Sequence, residues 1–162
     1  MTKKWTSAVD DDRNGQMSMA GTISRRLTEV VAALPLDPHL RVLEIGCGPG
    51  AAAREVASRL QTGHILAIDR SATAIDQLRA GSAAELASGR LSARAVAIED
   101  FTLEPDEKLF DLVFAIRVGA LDGPHPEAGR AAMGRIAAAT VPGARLFIDG
   151  GRPLRELPIG RP

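Results

Sequence analysis

Val42-Leu43-Glu44-Ile45-Gly46-Cys47-Gly48-Pro49-Gly50 is the stretch on which the reading of this chain turns. Residues of buried-strand character run into three glycines at alternate positions, and Ala51-Ala52-Ala53 opens a helical pattern at once. Glycine serves where the backbone takes conformations a side chain forbids, or where a ligand approaches the main chain. A strand, a glycine turn and a helix start place backbone N–H groups and the positive helix end at one sheet edge. The expectation is a nucleotide-type cofactor site; the plainer alternative is a turn with no ligand.

Charge bears on which cofactor. Gly46, Gly48 and Ala51 also fit the G-x-G-x-x-G/A spacing of dinucleotide folds. Glu44, however, sits two residues before the first glycine, near the strand's carboxyl end. Two like charges about 4 Å apart repel by roughly 4 kcal/mol at an effective dielectric near 20. A carboxylate there disfavours pyrophosphate and favours a cation. S-adenosylmethionine carries an ammonium and a sulfonium and no phosphate. The stretch closely resembles the first motif of class I S-adenosylmethionine-dependent methyltransferases: an aliphatic pair, an acid, an aliphatic residue, then G-x-G-x-G.

The 162 residues suit one domain, and 45% hydrophobic with 25% charged residues is an ordinary globular composition. Zero formal net charge gives no overall field toward nucleic acid or an anionic membrane, and 3% aromatics supply few stacking platforms. Cys47 is the only cysteine, which excludes an internal disulfide and suits a reducing compartment. Lys3 and Lys4 lead into Asp10-Asp11-Asp12 rather than the apolar run of a signal peptide. No apolar run approaches the roughly 20 residues of a bilayer span. A cytoplasmic location, with neither nucleic acid nor membrane as partner, is the expectation.

In chain order, residues 1–17 read as a loosely held arm with Trp5 as its large apolar group. Residues 18–36 form an N-terminal amphipathic helix carrying Ile23, Leu27, Val30, Val31 and Leu34, and Pro35 and Pro38 end it. The helix is either a cover over one sheet face or a substrate-facing lid. The core spans 40–150. Its first strand is Arg41–Ile45, its next helix is buried through Ala52, Ala53, Val56 and Leu60, and its second strand is Ile65–Ile68. Asp69 follows nineteen residues after Gly50, placed to accept hydrogen bonds from ribose hydroxyls; its alternative role is a helix N-cap, which Ser71 could fill equally. A helix over 72–88 leads to a third strand, Leu91–Ile98.

Glu99-Asp100 ends that strand, where the family often places an Asp on the adenine amino group. Ala97 stands at the position of that Asp, a departure that Glu99 or Asp100 would make good, with Ile98 as an apolar face for the base. Phe110-Asp111-Leu112-Val113-Phe114 resembles the family's fourth motif. The Asn-Pro-Pro-Tyr of enzymes that methylate amino groups of adenine or glutamine is replaced by Ile116-Arg117-Val118-Gly119. A loop to Pro126 holds Asp122 and His125, the latter a candidate general base or simply an exposed residue between prolines. A helix over 127–140 and a Pro142-Gly143 turn precede a fifth strand, Ala144–Asp149. The tail 151–162 reads as extended, without the two further strands usual in the family.

Alternating strands and helices imply an α/β, doubly wound, mostly parallel, Rossmann-like sheet of about five strands, with ligands at its carboxyl edge. The resemblance implies a small, C-terminally short methyltransferase using S-adenosylmethionine on a small-molecule acceptor. The candidate cofactor contacts are Glu44, Gly46, Cys47, Gly48, Gly50, Asp69, Arg70, Ile98, Glu99 and Ile116; no metal site is expected. The alternatives are a non-catalytic S-adenosylmethionine-binding or interaction protein, and an NAD(P)-linked oxidoreductase, for which no Tyr is present to relay protons. The acceptor side is expected to be closed by the N-terminal arm, with Trp5, Met17 and Met19 as anchors, or by a second copy in a homodimer.

Overall fold

The computed structural model describes residues 22–121 and 123–162. In chain order the elements are α1 (Arg25–Ala33), β1 (Arg41–Ile45), α2 (Ala51–Arg59), β2 (His64–Asp69), α3 (Ala72–Gly81), α4 (Ala83–Ala87), β3 (Leu91–Ala95), β4 (Phe110–Ala115), α5 (Pro126–Ala139), β5 (Thr140–Asp149) and β6 (Leu154–Leu157). They build one sheet in the order β3-β2-β1-β4-β5-β6, parallel except for β6. The order reverses between β1 and β4, so the loops after these two strands face each other at the carboxyl edge.

Strand alternation loads both faces with apolar side chains. Val42, Ile65, Ala67, Leu112 and Phe114 pack with α1, α2 and α3. Leu43, Leu66, Ile68, Val113 and Ala115 pack with α5 and the 3-10 turn at Ile98–Asp100. Small residues Ala52, Ala53 and Ala57 on α2 and Ala132 and Ala139 on α5 are buried, which lets each helix lie close on the sheet. Ser24 caps α1 by accepting from the Leu27 N–H, and Ser71 caps α3 by accepting from the Ala74 N–H.

Five boundaries correct the sequence reading. The tail is not merely extended: Leu154–Leu157 pairs antiparallel with Leu146–Asp149, giving six strands rather than about five. Pro153 and Pro158 flank these four residues without interrupting them, so no ladder N–H is lost, and Arg145 donates from Nε and Nη2 to the two Glu156 carboxylate oxygens at 2.9 and 2.8 Å. The helix expected over 72–88 breaks at buried Ser82, whose Oγ accepts from Arg54 Nη1 at 3.0 Å. The third strand ends at Ala95, and Ile98, Glu99 and Asp100 form a 3-10 turn instead. Pro142 and Gly143 lie within β5, where the register against β4 shifts between Phe110 and Leu112, rather than in a turn before it. Within 18–36 the helix runs from Arg25 to Ala33. The arm, with Trp5, Met17 and Met19, and Asp122 lie outside the described residues.

Candidate active site

The loop after β1 carries three left-handed glycines, Gly46, Gly48 and Gly50, with φ of +73°, +53° and +90°. They need that freedom for different reasons. A Cβ at Gly46 would lie 2.7 Å from Val118 Cγ2, and one at Gly50 would lie 2.6 Å from Leu78 Cγ. Those two positions are closed by the protein's own packing. A Cβ at Gly48 would meet nothing within 4 Å. Gly48 lines a cavity of about 210 Å³ with Glu44, Cys47, Ile116, Arg26 and Arg117. Unlike Gly46 and Gly50, Gly48 leaves its main chain open to close approach from that cavity.

Backbone donors of the turn are all taken. Gly46 N–H and Cys47 N–H donate to the Ile68 carbonyl at 2.8 and 3.0 Å, Gly48 N–H to Asp69 Oδ2 at 2.9 Å, and Gly50 N–H to the Cys47 carbonyl at 3.1 Å. Pro49 has none. The sequence reading placed backbone N–H groups at this edge for a nucleotide-type cofactor; within the turn, the β2 carboxyl end and the Cys47 carbonyl take them instead. Between Gly46 and Gly50 no N–H remains for a pyrophosphate, whereas the carboxyls nearby suit a donor or a cation.

Asp69 thus organises the site from β2. Its Oδ2 holds the glycine turn and its Oδ1 accepts from the Ser71 N–H at 2.8 Å. Capping of α3 falls to Ser71, not to Asp69. A carboxylate has about four lone-pair positions, so two N–H bonds leave room for hydroxyl donors from the larger cavity it lines. That cavity, of about 610 Å³, is walled by Ile45, Gly46, Ile68, Asp69 and Arg70 on one side and by Ile98, Glu99, Arg117 and His125 on others. Glu99 Oε1 lies 4.0 Å from Arg70 Nη2, and Glu99 Oε2 is buried without a partner. Asp100 is exposed and lines neither cavity, so of the two acids at that turn Glu99 is the one brought to the site.

Glu44 is only 4% exposed, and its Oε2 has no hydrogen-bond partner. Burial first, then the negative Asp69, pushes its pKa up to about 8, against a smaller opposing pull from Arg54. The sequence reading took Glu44 as a standing negative charge. In the protein with nothing bound its carboxyl is mostly protonated near neutral pH, because desolvation disfavours the anion. An approaching cation reverses that balance, so the orphaned oxygen is where a positive group gains most. The same burial pushes the Cys47 thiol up, with Glu44 and Asp69 adding to it. Cys47 is a buried filler between glycines, not a poised nucleophile.

Of the expected contacts, Glu44, Gly46, Cys47, Gly48 and Ile116 meet at the smaller cavity and Asp69, Arg70, Ile98 and Glu99 at the larger. Gly50 lines neither; it starts α2 and makes way for Leu78. His125 lines the larger cavity as an exposed residue at the N-cap of α5. The sequence reading missed Arg117, which lines both cavities, and Ser24, Arg26 and Leu27, through which α1 walls the smaller one. α1 therefore both covers α2 with Val31 and faces the site. Among the described residues no group of His, Cys, Asp or Glu is gathered as a metal site, and no helix is long and apolar enough to cross a membrane.

Known proteins share this architecture. Trans-aconitate 2-methyltransferase of Methylobacterium radiotolerans is 27% identical over 92 residues, 57% of this chain and 32% of that protein. The [4+2]-cyclase SpnF superposes with a TM-score of 0.61 at 27% identity, over 76% of this chain and 43% of that one. An S-adenosylmethionine-dependent methyltransferase from Thiobacillus denitrificans, in complex with S-adenosyl-L-homocysteine, gives 0.61 at 17% identity, over 82% and 51%. The chain spans about a third to a half of the length of these relatives. The family model described as methyltransferase domain matches residues 42–143, more than half of the chain. The chain belongs to the methyltransferase-domain family.

Proposed function

We propose that this domain is an S-adenosylmethionine-dependent methyltransferase acting on a small-molecule acceptor. The observation that carries the reading is the glycine turn whose every N–H is bonded within the protein, beside the partnerless buried oxygen of Glu44. Such a turn offers a phosphate no free N–H between Gly46 and Gly50, and the orphaned Glu44 oxygen beside it can take a cation. In this reading the ribose meets Asp69, the adenine lies against Ile98 with Glu99 at its edge, and the methionine part lies over Gly48 beside Glu44 and Ile116. Methyl transfer is a displacement at a carbon the sulfonium already activates. Holding acceptor and methyl in line alone can supply roughly 7–11 kcal/mol of the barrier, so no dedicated nucleophile is required. A neighbour in complex with S-adenosyl-L-homocysteine and a relative named trans-aconitate 2-methyltransferase support the cofactor and the acceptor class.

A second reading is that the domain binds the cofactor without transferring its methyl group. The 27% identity to a [4+2]-cyclase favours keeping it, since one fold hosts unrelated chemistries. Calorimetry with S-adenosylmethionine, S-adenosylhomocysteine and NAD separates the cofactor classes: the expected result is binding of the two methionine nucleosides alone. Binding of NAD with neither nucleoside would overturn both readings. Slow conversion of bound S-adenosylmethionine to its demethylated product in the presence of small carboxylic acids then distinguishes transfer from binding.

A further inference from the structure

Arg117 is the one non-glycine residue among the described residues with a left-handed backbone, at φ +58°. It follows β4, directly opposite the glycine turn, and its neighbours Ile116 and Val118 face the smaller and the larger cavity respectively. A side chain makes this conformation unfavourable, so something fixed must hold it. The Asp149 carboxylate reaches it from the end of β5: its Oδ1 accepts from the Arg117 N–H at 3.1 Å. Its Oδ2 meets Arg26 Nη2 at 3.2 Å, on the turn of α1 that walls the smaller cavity. The Asp149 side chain is 12% exposed and that of Arg26 55% exposed. One carboxylate thus joins the strained turn after β4 to the cover helix, across the cavity where the methionine part is placed.

We propose that Asp149 is a positioning residue of this site: by bonding the Arg117 N–H it holds the turn after β4 in its binding conformation, and by pairing with Arg26 it sets α1 over the same cavity. Asp149 itself lines neither cavity, so its effect on a ligand passes through Arg117 and Arg26. The proposal rests on the cofactor reading above. Two properties separate it from a purely structural role. The turn needs a carboxyl or amide oxygen at position 149 only while residue 117 carries a side chain, because glycine takes φ near +60° unaided. The ion pair with Arg26, in contrast, needs the full charge.

The test is a cycle of variants read by calorimetry with S-adenosylhomocysteine, well below each variant's melting temperature. Asp149→Ala is expected to weaken binding by about tenfold or more, the usual consequence of losing a hydrogen bond to a charged acceptor. Asp149→Asn, which keeps an oxygen for the Arg117 N–H, should recover most of that loss. In an Arg117→Gly background the same Asp149→Ala change should cost about threefold or less, a coupling that a general loss of stability does not produce. Equal losses in the two backgrounds, or an affinity unchanged by Asp149→Ala, would overturn the proposal. Absence of S-adenosylhomocysteine binding by the unaltered protein would instead refute the cofactor reading.

Discussion

The turns after β1 and β4 face each other across the carboxyl edge, and they reach left-handed backbone by opposite means. The first spends three glycines and ties its N–H groups to β2. The second puts Arg117 in the same region of backbone space and holds it with a carboxylate from β5. A glycine turn yields to whatever lies over it, which suits close approach of a ligand to the main chain. A braced residue keeps its backbone in place instead and leaves an exposed charged side chain at the edge of both cavities. The difference teaches that one half of this site is defined by what was removed from the chain and the other by what was added.

The sharpest break of that comparison falls on the glycines themselves. Gly48→Val should abolish measurable binding of S-adenosylhomocysteine while the protein still folds, since the new side chain enters open cavity rather than protein. The left-handed backbone lowers its stability by about 1–2 kcal/mol. Gly50→Ala should do the reverse, losing about 1–3 kcal/mol to overpacking against Leu78 on top of the backbone strain. Thermal melts beside calorimetry decide the matter: a Gly48 variant that binds normally would show that its open space is not the ligand's.

Asp69→Ala comes next in size. Its carboxylate anchors Gly48 and Ser71, so both affinity and stability should fall, each by about 1–3 kcal/mol. An affinity loss without any drop in melting temperature would mean that the turn is held by the two bonds to the Ile68 carbonyl alone.

Glu44→Gln tests the buried acid. The folded pKa lies near 8, above the ordinary 4.5. The folded state therefore holds a proton that the unfolded chain releases between those values. Its stabilising contribution is complete below about pH 4.5, declines as pH rises, and is gone above about 8. The slope of stability with pH approaches about 1.4 kcal/mol per unit for one proton. Glu44→Gln should flatten that decline in the unliganded protein. A cation bound beside Glu44 draws the proton off, so cofactor binding near pH 7 should release protons into the buffer. Equal heats in buffers of different ionisation enthalpy would refute that linkage.

The glycine half of the candidate site was legible in the sequence and the arginine half was not, for a physical reason. Gly46, Gly48 and Gly50 declare backbone freedom through composition, and Asp69 declares itself by its place at the end of an apolar run. Nothing local marks Arg117 as strained or Asp149 as its brace, because the bond between them spans 32 residues and forms only once β4 and β5 lie side by side. The sixth strand was hidden for a similar reason. Leu154–Leu157 is too short to show a period, and its pairing with β5 is a tertiary fact. Charge at Glu44 was misread because a sequence gives the residue type and not its burial.

The smallest effect is expected at Arg117 itself, and it measures how completely Asp149 offsets the strain there. Left-handed backbone costs a residue with a side chain about 1–2 kcal/mol. Glycine removes that cost but gives the unfolded chain more freedom, which costs about 0.5–1 kcal/mol. Arg117→Gly should therefore change stability by about 1 kcal/mol or less, in the stabilising direction. The Arg117 side chain is exposed, so little buried packing is lost with it. Asp149 keeps its acceptor role toward the residue 117 N–H in either case. Chemical denaturation resolves a change of this size when the slope with denaturant is unchanged. A loss of 2 kcal/mol or more, by the same strain arithmetic, would mean that the guanidinium holds the turn through contacts of its own. The turn after β4 would then be built by its side chain and not by its brace.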